Sequence, residues 1–243
     1  MDKKTIIIPV AVVLAAAALY FALAGRGGFM YAGTVEATEI DLSSRLTGVI
    51  GSVNVQEGEN VQEGQLLVKL MIEDIGVAAA AAERDYKRAV ELLEAGSMNR
   101  EAYDRIKFRR DDSAVRLAWG AIKSPINGKV LARYHEPGEM VNPGTKLLTV
   151  ADLKNPWAYI YVPQPVLSKI SAGLEVKGYV PESDMKMIPG RIAHINETAE
   201  FTPKNVQTRS ERSRLVYGVK ILFGNDDGFL KPGMTVEVAL PDK

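Results

Sequence analysis

The chain contains no cysteine and only two histidines, His135 and His194. The first absence removes disulfides, thiolate nucleophiles, zinc–thiolate sites and a lipid-modified N-terminal cysteine together. The second leaves too few imidazoles for a histidine-based metal or acid–base centre. One falls in a turn-rich β segment and the other in a strand candidate, so both are read as structural. Positive charge is not in excess either: 30 Lys and Arg balance 30 Asp and Glu. A surface built to neutralise many phosphates needs such an excess, which argues against nucleic acid as a partner. No G-x-x-x-x-G-K-[ST] loop is present, so any ATP hydrolysis belongs to a partner. The adjacent pairs Asp111-Asp112 and Asp226-Asp227 diverge on a helix or sit in a turn, unlike convergent catalytic carboxylates. The chain is therefore read as non-enzymatic, without cofactor or metal. Its 243 residues allow one large domain or two to three small ones.

Long apolar runs are also scarce, with one exception at the N-terminus. Lys3 and Lys4 precede a run from Ile6 to Ala24 broken only by Pro9. At a rise of about 1.5 Å per residue it can just cross a hydrocarbon core of about 30 Å. The cationic flank predicts a cytoplasmic N-terminus and an exported bulk. Ala22-Leu23-Ala24 resembles a cleavage site, so a removed signal peptide is the alternative to a retained anchor.

What is present begins with an internal repeat. Gly48, Gly58, Glu59, Val61, Gly64 and Leu67 recur 80 residues later as Gly128, Gly138, Glu139, Val141, Gly144 and Leu147. Ile50/Val130, Val68/Leu148 and Leu70/Val150 add apolar pairs without a gap. Each copy reads as a strand, two tight turns and a second apolar strand. Between the copies the period becomes helical. Ile75, Ala79, Ala82, Tyr86, Ala89 and Leu93 form a seam with spacings of three and four. Gly96 is placed to end that helix, and Ser97 or Asn99 to cap the next. The returning helix, near Arg100 to Ala118, has a weaker seam, in which Ala102 and Ile106 are followed by Arg109 and Ser113.

From Ala151 onward, short β-runs with turn punctuation predict a small antiparallel barrel. Strands are expected at Trp157 to Val162 and near Glu175 to Val180, Gly190 to Ile195, Leu215 to Leu222 and Thr235 to Leu240. A short helix is expected from Pro163 to Ile170. The polar stretch Asn196 to Arg214 is long for a hairpin loop, and such loops are often functional.

This order resembles the haemolysin-D-type membrane fusion proteins, the periplasmic adaptors of bacterial efflux and secretion pumps. Ile122-Lys123-Ser124-Pro125-Ile126-Asn127-Gly128-Lys129-Val130 is similar to the family's entry into the second half-motif, where Pro stops the helix. Ala199 to Thr208, Glu211-Arg212 and Leu215-Val216-Tyr217 resemble adaptors of ABC transporters, and Leu230-Lys231-Pro232-Gly233-Met234 resembles the family's late barrel turn.

The resemblance implies a mainly β fold with an α-helical hairpin. Residues 1–28 are an anchor or signal, 29–70 plus 119–151 a lipoyl-like barrel-sandwich hybrid, 71–118 the hairpin and 152–243 the barrel. The family's extra membrane-proximal domain is expected to be absent. The implied location is the inner membrane, single-pass, with the bulk in the periplasm. The implied partners are an inner-membrane transporter, ABC-type or alternatively proton-driven, further copies of the chain, and an outer-membrane channel. Channel-binding relatives commonly carry Arg, Leu and Ser at seven-residue steps near the tip. Here those places hold Asp85, Leu92 and Asn99, so only Leu92 keeps the pattern. The contact candidates are Leu92, Asn99 and Arg88 on the hairpin and Arg209, Glu211 and Arg212 in the late polar stretch.

A biotin or lipoyl carrier is the rival reading of the half-motifs. Carriers place the modified lysine in the turn joining the halves, where this chain has the hairpin. Met185-Lys186-Met187 imitates a biotin acceptor but lies 35 residues beyond the second half-motif, and is read as a barrel loop.

Overall fold

The computed structural model describes residues 29–201 and 215–241. The expected membrane anchor, and with it Arg209, Glu211 and Arg212, lie outside the described residues. Among those described, no helix is long and apolar enough to cross a membrane. In chain order the elements are β1 (Met30–Ser43), β2 (Gly48–Val53), β3 (Asn60–Val61), β4 (Leu66–Met71), α1 (Glu73–Glu94) and α2 (Arg100–Ala118). There follow β5 (Ala121–Lys123), β6 (Gly128–Arg133), β7 (Met140–Val141), β8 (Lys146–Pro163), α3 (Gln164–Leu167) and β9 (Glu175–Val180). A 3₁₀ turn (Pro181–Ser183) leads into β10 (Lys186–Ile195), β11 (Glu200–Phe201), β12 (Leu215–Phe223) and β13 (Thr235–Ala239).

The chain divides into two compact units. Among the described residues, one holds Ala37–Pro156 and Asn225–Leu230; the other holds 29–36, 157–201, 215–224 and 231–241. In the first, β5-β4-β2-β7 form one small sheet, and β8-β6-β3 belong to another. Leu42, Ile50, Leu67, Val68, Leu70, Val130, Leu147, Leu148 and Val150 meet in a single core between them. The inward positions are Val, Leu or Ile, while the outward ones mix polar residues such as Lys69 with exposed Met71, Leu131 and Met140.

The repeat is a structural one, bond for bond. Gly58 N–H donates to Val130 O and Gly138 N–H to Ile50 O, both at 2.8 Å. Ile50 N–H donates to Glu139 O and Val130 N–H to Glu59 O, both at 2.9 Å. Ser44 and Ser124 each donate to a carbonyl two residues on, at 2.6 Å. Even the irregularity repeats: the register shifts between Ile50 and Ser52 in one copy and between Val130 and Ala132 in the other. Each copy's turn closes on the other copy's strand, so neither half is complete alone.

Asn225 reaches into this unit from a later turn. It is buried, donates to Leu153 O and Leu230 O and accepts from Leu230 N–H, each at 2.8 Å. Its amide thereby satisfies backbone groups that would otherwise be orphaned.

In the second unit β1, β13, β9, β10, β12 and β8 pair in a closed ring of six. Ala158, Ile160 and Val162 of β8, Val219, Ile221 and Phe223 of β12, and Val236 and Val238 of β13 are buried in it. Three expectations need correction here. Met185-Lys186-Met187 is not a free loop, because Lys186 and Met187 open β10 against Val180 and Tyr179. Asp184 and Met185, both left-handed at φ 49 and 55, make the turn before it. The expected strand from Gly190 is therefore longer at its start, and the expected helix from Pro163 to Ile170 contracts to α3.

Candidate partner-contact surfaces

α1 and α2 form an antiparallel hairpin whose sequence seam is its contact face. Ala82 and Ala89 are buried, and Ile75, Ala79, Tyr86 and Leu93 are half-buried. The small alanines let the helices approach closely, and the seam polar groups complete the contact. On α2 the seam follows Ile106 by four residues, to half-buried Arg110 rather than to Arg109, which is exposed. The reason is aromatic: the Arg110 guanidinium lies 4.0 Å from the Tyr86 ring centroid. The Tyr86 and Tyr103 hydroxyls meet at 3.1 Å, and Arg110 Nε lies 3.0 Å from Asp111 Oδ1. α2 buries no residue fully, so this polar seam replaces the apolar one that the sequence lacks.

The end of α2 also differs from expectation. The helix stops at Trp119 and Gly120, with Gly120 N–H on Leu117 O at 3.1 Å and Gly120 O accepting from Leu70 N–H at 2.8 Å. Pro125 follows β5, so the pull of the sheet on Gly120 ends the helix, and proline does not.

At the hairpin tip, Asn99 is the N-cap of α2, its Oδ1 accepting from Ala102 N–H at 2.8 Å. That oxygen is occupied within the chain. Leu92 is 38% exposed on the last turn of α1, and Arg88 is exposed with Asp85 Oδ1 3.9 Å away. Leu92 and Arg88 are thus available to a partner, whereas Asn99 acts first on its own helix. The structure brings these three to one end of the hairpin.

A polar cluster that the sequence reading missed lies on the second half-repeat. Thr149 Oγ1 donates to Asp41 Oδ1 at 2.8 Å, Lys146 Nζ stands 2.8 Å from the same carboxylate, and the Tyr134 hydroxyl is 3.1 Å from Thr149. The cluster breaks the repeat. The first half has Asn54, Leu66 and Lys69 where the second has Tyr134, Lys146 and Thr149. Period-2 alternation shows which residues face outward but not which outward residues meet across strands, so the sequence held no signal for it.

Known proteins share this architecture. Residues 38–152 match the family described as CzcB-like, barrel-sandwich hybrid domain. Residues 38–152 form a barrel-sandwich hybrid. The UPF0194 membrane protein YbhG of Salmonella arizonae is 26% identical over 324 aligned positions, covering 97% of this chain and 98% of the relative. Because this chain has 243 residues, the relative carries internal segments without a counterpart here. A chimaera of MacA with the α-hairpin domain of Pseudomonas aeruginosa MexA superposes with a TM-score of 0.67 at 20% identity, over 87% of this chain and 79% of the other. The membrane fusion protein Spr0693 of Streptococcus pneumoniae R6 gives 0.60 at 22% identity, over 88% and 99%. The fold is that of membrane fusion proteins.

On the barrel-sandwich domain, the polar cluster makes a pH prediction. Lys146, then Thr149, hold the Asp41 carboxyl below its ordinary value, and Asp41, then Tyr134, hold Lys146 above its own. His135, with Nδ1 2.6 Å from Glu139 Oε2, likewise lowers Glu139. A carboxyl lowered on folding stabilises the fold above its unfolded pKa and loses that contribution as pH falls through the folded one. Stability is therefore expected to drop on the acid side of the ordinary aspartate value of 3.8. Asp41→Asn should flatten part of that acid limb and leave the thermal midpoint at pH 7 little changed, because the pair is exposed. Thermal melts of both chains between pH 2.5 and 7 check it.

Proposed function

We propose that the chain is a non-enzymatic periplasmic adaptor. In this reading the N-terminal segment anchors it in the inner membrane, and the barrel unit engages a transporter of ABC type. The hairpin projects away to link that transporter to an exit path for efflux or secretion. The observation that carries the reading is the place of the hairpin. A carrier's modified lysine would occupy the turn between the two half-repeats, and here α1 and α2 leave from Met71 and return at Ala121. What a carrier presents as a cofactor, this chain presents as two helices of 22 and 19 residues, about 30 Å long. The choice of an ABC-type partner rests on the resemblance of Ala199–Thr208 and Leu215–Tyr217 to adaptors of such transporters. Affinity capture of the full-length chain from membranes tests it, with an ATPase–permease pair as the expected companion. Capture of a large proton-driven pump instead would reassign the partner.

The same reading makes Leu92 a contact residue. Leu92→Asp removes an exposed apolar group, so the thermal midpoint should move by less than about 2 °C. Export through the assembled pump should fall at least about tenfold if the lost contact is worth about 1.4 kcal/mol. Unchanged export with an intact fold would show that the tip does not dock.

A further inference from the structure

At one mouth of the barrel the apolar interior runs out into the open. β11, β12, β8 and β1 stand side by side there. Val216 of β12 pairs with Pro163 of β8, and Leu215, one residue further out, pairs with Phe201 of β11. β1 lies against β8, close enough that a Cβ on Gly33 would be 2.5 Å from Tyr159 O. Phe29, four residues before Gly33, therefore comes level with Pro163, four after Tyr159. Phe29, Phe201 and Leu215 are 73%, 72% and 54% exposed.

These side chains are the ends of buried rows. Side chains alternate along a strand, so Leu215 continues the inward row of buried Val219 and Ile221, and Phe29 that of Tyr31 and buried Val35. The Phe29 ring stands edge-on to that of Tyr31, with centroids 4.8 Å apart. Three strand spacings spread the exposed tips over about 14 Å of the rim.

We propose that this mouth docks on the lipid surface, its three apolar tips seated at the boundary between headgroups and acyl chains. The inference rests on the reading of Ile6 to Ala24 as a retained anchor. Only Gly25, Arg26, Gly27 and Gly28 separate that run from Phe29, a link of at most about 18 Å. The headgroup layer on each side of a bilayer is roughly 5–8 Å deep. An anchored chain thus holds this mouth at the membrane and leaves the tips little room to stay clear of it. The opposite mouth carries the turn at Asp184 and Met185, and β10, ten residues long, sets the two ends about 30 Å apart along the strand. Chemistry agrees with position. Aromatic and aliphatic tips backed by a tyrosine suit a boundary that is apolar on one side and wet on the other. Their contribution grows with the apolar area they bury there.

The absence of cysteine allows single labels for the test. The full-length chain carrying Phe201→Cys, Leu215→Cys or, as a control at the far mouth, Met185→Cys is labelled with a polarity-sensitive fluorophore. Each is reconstituted into vesicles of phosphatidylethanolamine and phosphatidylglycerol with no other protein present. The Phe201→Cys and Leu215→Cys labels should be quenched by a nitroxide attached high on the acyl chain and shielded from aqueous iodide. The Met185→Cys label should show the reverse. Rim labels open to iodide and untouched by the nitroxide, in a chain that alkaline carbonate does not extract, would overturn the docking and leave the anchored adaptor standing. Extraction by carbonate would overturn the anchor and the docking with it. As a second measurement, Phe29→Asp together with Phe201→Asp should return the Leu215→Cys label to the level of the control, at an unchanged thermal midpoint because both rings are exposed. Retained nitroxide quenching would contradict the proposal.

Discussion

Gly128→Ala is expected to destabilise the chain by about 3 kcal/mol, and Gly48→Ala, its counterpart in the repeat, by about 1 kcal/mol. A Cβ on Gly128 would lie 2.4 Å from Ala151 O and 3.0 Å from Ala151 C. That obstacle is backbone, in a strand paired on one side to β6 itself through Lys129 and Ala151, and it cannot move without breaking the ladder. A Cβ on Gly48 would meet Ile72 Cγ2 at 3.1 Å and Met71 O at 3.2 Å. There a side chain that can turn and a few tenths of an ångström are enough. The pair is informative because sequence places the two glycines in identical roles, whereas the strands beside them differ. Chemical denaturation of both variants checks it, and equal costs would show that the two close approaches are equally relaxed.

Leu67→Ala and Leu147→Ala should each cost about 2–5 kcal/mol, the range for emptying a closed core site. Both side chains are essentially inaccessible, at 0% and 1% exposure, and both belong to the single core shared by the two half-repeats. Since each half's turn closes on the other half's strand, loss of either leucine should unfold the whole barrel-sandwich domain in one transition. Because the two leucines share one core, the double variant should depart from the sum of the singles. Calorimetry checks it. A barrel-sandwich unit whose own melting splits into two steps, apart from any transition of the barrel unit, would show that the halves fold independently.

Much of this architecture was legible because turns and alternating strands leave strong local marks. The glycines at the repeat's turns adopt φ of 82 and 81 in the first copy and 95 and 89 in the second, a conformation that few other residues accept. The α1 seam was legible for a similar reason, since six small or apolar residues at helical steps have no other economical arrangement. Long-range choices were not. β8 runs unbroken from Lys146 to Pro163, although Asp152-Leu153-Lys154-Asn155-Pro156 has the composition of a turn. Asp152 does bond locally, accepting from Lys154 N–H at 3.0 Å and Asn155 N–H at 3.3 Å, yet the strand is paired just before the segment, at Leu148 to Ala151 with β6, and just after it, at Trp157 to Pro163 with β12.

The candidate contact site divides in the same way. Leu92 and Arg88 come from the family's tip pattern and are exposed near the hairpin tip, whereas Asn99, one of two cap candidates in the sequence, is the N-cap of α2. Arg110 could not be chosen over Arg109 from the sequence, because the deciding contact is the face of Tyr86 on the other helix.

The proposed adaptor role requires that the chain assemble with an inner-membrane transporter in more than one copy. Its most direct test is affinity capture of the tagged full-length chain from gently solubilised membranes, with the stoichiometry of every retained protein measured. The account predicts an inner-membrane transporter retained together with more than one copy of this chain per transporter assembly. A chain that emerges strictly monomeric and retains no transporter would contradict it.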